Sequence, residues 1–170
     1  MPEWTDYKLG EHADDIPIDS SEDNQAAALH LVSQGGRSLD IFSHDLEPRI
    51  YDTPDFTDAV RALAIKTRDM QVRILVNDPD FIIKHGHRLI DLARRLTSHM
   101  EIRKLHEDYC NKPEAYLVVD KRGLLHRKLA SRYEAVVNFN NPMTATELYH
   151  HFSEMWERSR QYMDFRQLNI

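Results

Sequence analysis

The sequence predicts an α/β protein, a three-layer α/β/α sandwich built on a mixed sheet. Three observations carry that expectation. Helical and strand-like segments alternate through the first hundred residues. Short apolar runs such as "QVRILV", closed by Asn77-Asp78-Pro79, have the form of buried strands. Beyond residue 110, strand-like runs follow one another directly before a last amphipathic helix. Alternation favours parallel strands with crossover helices, and adjacency favours antiparallel hairpins, so the sheet is mixed.

Each element has a local reason. Ser20 and Ser21 offer N-caps to a helix reaching about Val32, which Gly35-Gly36 ends. "SLDIFSHDL" reads as a strand. Phe56, Val60, Leu63 and Ala64 form a helical stripe extending to about Thr67. "QVRILVND" is the next strand, and after Gly86 the run "HRLIDLARRLTSH" aligns Leu89, Ala93 and Leu96 on one face. "MEIRKLHED", "AYLVVD" and "RYEAVVNFN" are further strands, with "GLLHRK" pairing in the hairpin between the last two. Thr144 and Glu147 form a capping box for a helix carrying Leu148, Phe152, Met155 and Trp156 and reaching toward Tyr162.

The 170 residues suit one domain, with 41% hydrophobic and 29% charged residues. Residues 1–19 are polar, acidic and aperiodic, and are expected as a mobile or loosely docked arm before a single domain over 20–170. No run approaches a membrane span, no secretory signal is expected, and the lone Cys110 fits a reducing cytoplasm. The net charge of −6 conceals an asymmetry. Residues 1–60 hold 14 acidic against 3 basic side chains, and residues 61–170 hold 14 against 19. Such a split suits either two solvated faces or a basic binding face with a competing acidic arm.

The stretch "PEAYLVVDKRGLLHRK", residues 113–128, holds an apolar strand, an Asp, a turn and a basic cluster. With the closing Phe152-x-x-x-Trp156 and the order of elements, it resembles one half of a phospholipase D-like domain over roughly residues 20–160. That family carries H-x-K-x-x-x-x-D on the corresponding strand, and Asp120 falls on its Asp. Pro113 stands where the resemblance implies the nucleophilic His, and Ala115 where it implies the phosphate-binding Lys. Proline supplies no nucleophile and alanine no charge, so no catalytic residue is expected at this strand. The triplet His126-Arg127-Lys128 restores H-x-K but lacks the following Asp, since Tyr133 stands there. It reads instead as an exposed basic edge offering anion contacts.

Strand ends of an open α/β sheet are where ligands bind. Asp45, Asp78, His87, Arg88, Asp120 and Arg132 are therefore the candidate ligand pocket, with loop-bracing and ion pairing as the structural alternative. The leading expectation is a non-catalytic, degenerate phospholipase D-like module of a bacterial type. Resemblance implies an accessory or regulatory role, as in domains associated with acetyltransferases. One alternative is a phosphoester hydrolase using Asp45, Asp78, His87 and Asp120. Another is a purely structural interaction module. A homodimer or protein partner is expected, with nucleic acid or another phosphate-bearing ligand less favoured. No metal and no cofactor are expected, because His85-x-His87, His150-His151 and Cys110 match no specific ligand pattern.

Overall fold

The computed structural model describes residues 3–161. Eight strands form one mixed sheet among these residues, in the order β1-β7-β6-β5-β2-β3-β4-β8. Strands β2 (Ser38–Ser43), β3 (Gln71–Val76) and β4 (Met100–Lys104) are parallel neighbours. β5 (Ala115–Val119) runs antiparallel to β2, followed by β6 (Gly123–Arg127) and β7 (Ala135–Asn138), each antiparallel to the last. β1 (Ile16–Ile18) and β8 (Arg160–Gln161) close the two edges. The alternation predicted from sequence thus gives the parallel half, and the strand cluster gives the antiparallel half.

Helices cover both faces, as the three-layer expectation requires. On one face lie α1 (Ser21–Ser33), α2 (Pro48–Tyr51), α3 (Pro54–Ala64), α4 (Asp80–His85) and α5 (Arg88–Arg95). They bury Leu31, Ile50, Phe56, Val60, Ile82 and Leu89 against Leu39, Ile41, Val72, Ile74, Leu117 and Leu125 of the sheet. On the other face α6 (Pro142–Arg158) is the one α-helix among the described residues, with Leu148, Phe152, Met155 and Trp156 on Phe42, Leu75, Tyr116 and Val118. Each of those four side chains contributes roughly 1.5–3 kcal/mol by leaving water. Arg73 lies beneath α6: Nε donates to Asp40 Oδ1 at 2.7 Å, Nη2 donates to Ser153 Oγ at 3.1 Å, and the guanidinium lies 4.9 Å from the Phe152 ring centroid. Burial pushes the Asp40 carboxyl up, and Arg73 opposes that shift.

Several local expectations are corrected. The N-terminal segment is docked in its described part: Trp4 is buried, Gly10 N–H donates to Phe139 O, and Ile16 and Ile18 bracket Pro17 in an edge strand. Proline suits that place because an edge strand leaves one side of its backbone unpaired. Pairing to β7, rather than periodicity, makes this strand, so a three-residue segment escaped pattern reading. The short helices α2 and α4 likewise carry no periodic face, so their conformation is not legible in the sequence. α3 stops at Ala64, short of Thr67. The last helix starts at Pro142 with Asn141 as its cap, since Asn141 Oδ1 accepts from Thr144 N–H, and not with a Thr144 box. It ends at Arg158; Tyr162 lies outside the described residues.

Candidate functional site

β2 and β3 end together, and their carboxyl ends define one rim of the sheet. There His44 O accepts from Asp78 N–H at 2.6 Å, and Ser43 Oγ accepts from Leu46 N–H at 2.9 Å. Leu46 takes a left-handed conformation, φ 55°, and turns the chain into α2. Because β5 and β6 run antiparallel, β5 begins and β6 ends at this same rim. The loops between them enclose a crevice of about 640 Å³. His44, Asp45, Glu47 and Arg49 line one side, Cys110, Lys112 and Pro113 a second, and Leu129, Ser131 and Tyr133 a third.

Behind the crevice stands Arg127. Ala115 is its cross-strand partner in the β5–β6 ladder, so both side chains point to the same face. The Arg127 side chain is 4% exposed, and Nη2 meets Glu47 Oε1 at 2.5 Å. Nε donates to Arg132 O at 2.9 Å, Nη2 also donates to Ala130 O, and the guanidinium lies 5.6 Å from the Tyr133 ring centroid. Tyr51 is buried beside the pair, and burial pushes its phenol far above the usual range. Arg127 therefore anchors the 128–133 loop and holds a carboxylate between itself and the crevice. The expectation of an exposed basic edge is corrected at this residue. β6 is an interior strand, and of the triplet His126-Arg127-Lys128 only Lys128, just past its end, is exposed.

His126 points to the opposite face, as alternation along a strand requires. Its Nε2 donates to Glu114 Oε2 at 2.7 Å, a bond that holds the Glu114 carboxyl below the usual range. His126 and Lys128 share a second groove of about 840 Å³ with Pro17, Asp19, Leu129, Arg132 and Glu134. Arg132 is exposed and lies 3.9 Å from Glu134. Of the acidic arm, Asp19 alone lines this groove. Asp15 is instead turned toward Asn138, whose Nδ2 donates to it at 2.8 Å.

The six-residue pocket read from sequence does not converge. Asp120 lies at the opposite rim, one β2 length of roughly 20 Å away. There its carboxylate accepts from the backbone N–H groups of Gly36, Arg37 and Ser38 at 2.7–3.2 Å. Asp120 and Lys121, φ 56° and 54°, form the primed turn that closes the β5–β6 hairpin. His87 is buried, with Nδ1 accepting from Leu89 N–H to cap α5 and Nε2 bonded to Leu46 O. Burial lowers its pKa, which favours the neutral ring. Arg88 pairs with Asp52 at 3.1 Å, and Asp78 accepts from Asp80 N–H in its own turn. Asp45 alone of the six lines the first crevice, and Arg132 lines the second groove. Glu47 and Glu114, which pair with Arg127 and His126, are not legible in the sequence, because neither lies in a patterned run.

Among the described residues, no group of His, Cys, Asp and Glu is placed to hold a metal. No helix there is long and apolar enough to cross a membrane. No curated protein matches the chain. Among the solved structures that share its fold are the following three. Nuc from Salmonella typhimurium, a phospholipase D family member, is 16% identical with a TM-score of 0.60, over 88% of this chain and 99% of Nuc. NucT from Helicobacter pylori is 11% identical with a TM-score of 0.59, over 88% and 99%. TrmBL2, an archaeal chromatin protein with a novel mode of DNA binding, is 12% identical with a TM-score of 0.63. It is covered over 54% of its length by 87% of this chain, which thus spans about half of TrmBL2. A family model described as a domain of unknown function, DUF7931, matches residues 20–168. The chain belongs to that family and has the fold of a phospholipase D-like domain.

Proposed function

We propose that the chain is a degenerate phospholipase D-like module, a single domain that includes the docked N-terminal strand, and that it binds a ligand or partner at the crevice without catalysis. One observation carries this reading. The cation that Ala115 faces across the ladder, Arg127, is buried and matched by Glu47, so it is not free to stabilise a developing phosphorane at the position where the phosphate-binding Lys is implied. Pro113 lines the crevice where a nucleophile would stand. Scattering of Asp78, His87 and Asp120 weighs against the alternative hydrolase, because those groups cannot act on one phosphorus. An accessory role beside a catalytic partner, such as an acetyltransferase-type domain, suits a module of this kind.

Turnover of bis-p-nitrophenyl phosphate tests the reading. None above the protein-free rate is expected. Turnover abolished by His126→Ala would restore the second H-x-K as a working motif, and turnover lost only in Asp78→Ala or His87→Ala would favour the hydrolase.

Self-association is part of the same proposal, since a second copy is the common way to cover an exposed rim. Sedimentation velocity should then show a species of twice 20.0 kDa at micromolar concentration. A monomer throughout would count against it.

A polyanion reading is favoured by one further observation: Lys128 and Arg132 lie exposed in the second groove with Asp19 beside them. Asp19→Asn should then raise affinity for a short single strand, with steep salt dependence. No binding by either form at low salt would leave a protein partner.

A further inference from the structure

We propose that Glu47 is an internal ligand: its carboxylate occupies an oxyanion seat on Arg127, and an external oxyanion enters the crevice by displacing it. The proposal rests on the reading of the crevice as a ligand site and adds how that site is regulated.

A buried guanidinium needs a counter-charge, because desolvation of an isolated cation costs several kcal/mol. The two carbonyls on Arg127, from Ala130 and Arg132, orient it but carry no charge. Glu47 supplies the charge at 2.5 Å. Its carboxylate has no part in capping α2, although Glu47 stands at the cap position. The side chain that neutralises Arg127 is therefore not committed to the backbone around it. It is also the member of the pair that faces outward: Glu47 lines the crevice and is 18% exposed, and Arg127 lies behind it.

A rotation of the Glu47 side chain would carry its carboxylate toward water and open the guanidinium to the crevice. No strand or helix must move for this. The crevice volume of about 640 Å³ accommodates an oxyanion together with the organic group that carries it. Arg49 and Lys112 at the rim add positive charge for a ligand bearing more than one negative group. Since Glu47 is tethered, its effective concentration is high, and a simple monovalent anion will not displace it. The resting state is thus self-blocked, and selectivity falls to ligands that combine charge with contacts along the crevice.

Inorganic phosphate is the probe, with the full-length chain and chloride at matched ionic strength as the reference. Wild-type Tm should be the same in both salts. Glu47→Gln should melt lower in chloride and regain most of that loss, saturably, in phosphate, because a ligand that binds only the native state stabilises it by mass action. Adding Arg127→Met should abolish the phosphate response. Should Glu47→Gln fail to fold in chloride, Glu47→Asp, whose carboxylate reaches less far, is read in the same way. A Glu47 variant that folds with no phosphate-dependent gain would overturn the proposal, as would an equal gain in the double variant. Diester turnover by the wild type would instead sink the non-catalytic reading and leave the seat standing.

Discussion

Ala115 stands directly opposite Arg127 in the β5–β6 ladder, and both face the layer that contains Glu47. The strand that resembles a phosphate-handling motif holds a methyl group where a cation is implied. The neighbouring strand brings a cation to the same spot, and a carboxylate cancels it. The rim keeps a crevice while its charge is internally matched.

Arg127→Met should destabilise the fold by about 3 kcal/mol, the lower end of the cost of breaking a buried pair, because Glu47 can turn to water. Adding Glu47→Gln should cost little more, since its partner is already gone. Urea unfolding of the single and double variants measures the coupling. Simple additivity would show that the two side chains do not interact.

Asp120 is expected to be a structural anchor. Asp120→Ala removes a charged acceptor shared by three backbone N–H groups and places alanine at φ 56°. A loss of about 2–3 kcal/mol should follow. Asp120→Asn should cost less, because asparagine tolerates the left-handed conformation and keeps one acceptor oxygen. Equal stability of wild type and Asp120→Ala in urea would contradict the anchor.

His87 should make stability depend on pH. Burial lowers its folded-state pKa from 6.5, so the unfolded chain takes up the proton first. The stabilisation is therefore complete above that value and is lost as pH falls through the lowered folded value. His87→Asn keeps an N-cap acceptor and does not titrate. The variant should be less stable at pH 7.5 yet show a flatter decline toward pH 5 in thermal melts. An unchanged slope would mean that His87 is not the group responsible.

Much of the fold was legible because its signals are local. Ser20 capping α1, the apolar runs of β3 and β5, and the face of α6 each follow from spacing and residue type. β1, α2 and α4 were not, since three to six residues carry no period and their conformation comes from what they pack against. The site was less legible still. Asp45, Asp78 and Asp120 all end strands, but Asp120 ends one of opposite direction and so falls at the other rim. Arg127 read as exposed because its neighbours Lys128 and Arg132 are. Its burial depends on Glu47, 80 positions away in sequence, and no single-chain pattern links them.

The proposed binding role of the crevice excludes phosphoryl chemistry there. A pre-steady-state measurement tests it most directly: bis-p-nitrophenyl phosphate mixed with an equimolar amount of the wild-type chain, with release of p-nitrophenolate followed from the first milliseconds to hours. The protein-free trace is expected at every time. A burst that scales with protein concentration, the signature of a covalent phosphoryl intermediate, or a linear release that does so, would contradict it.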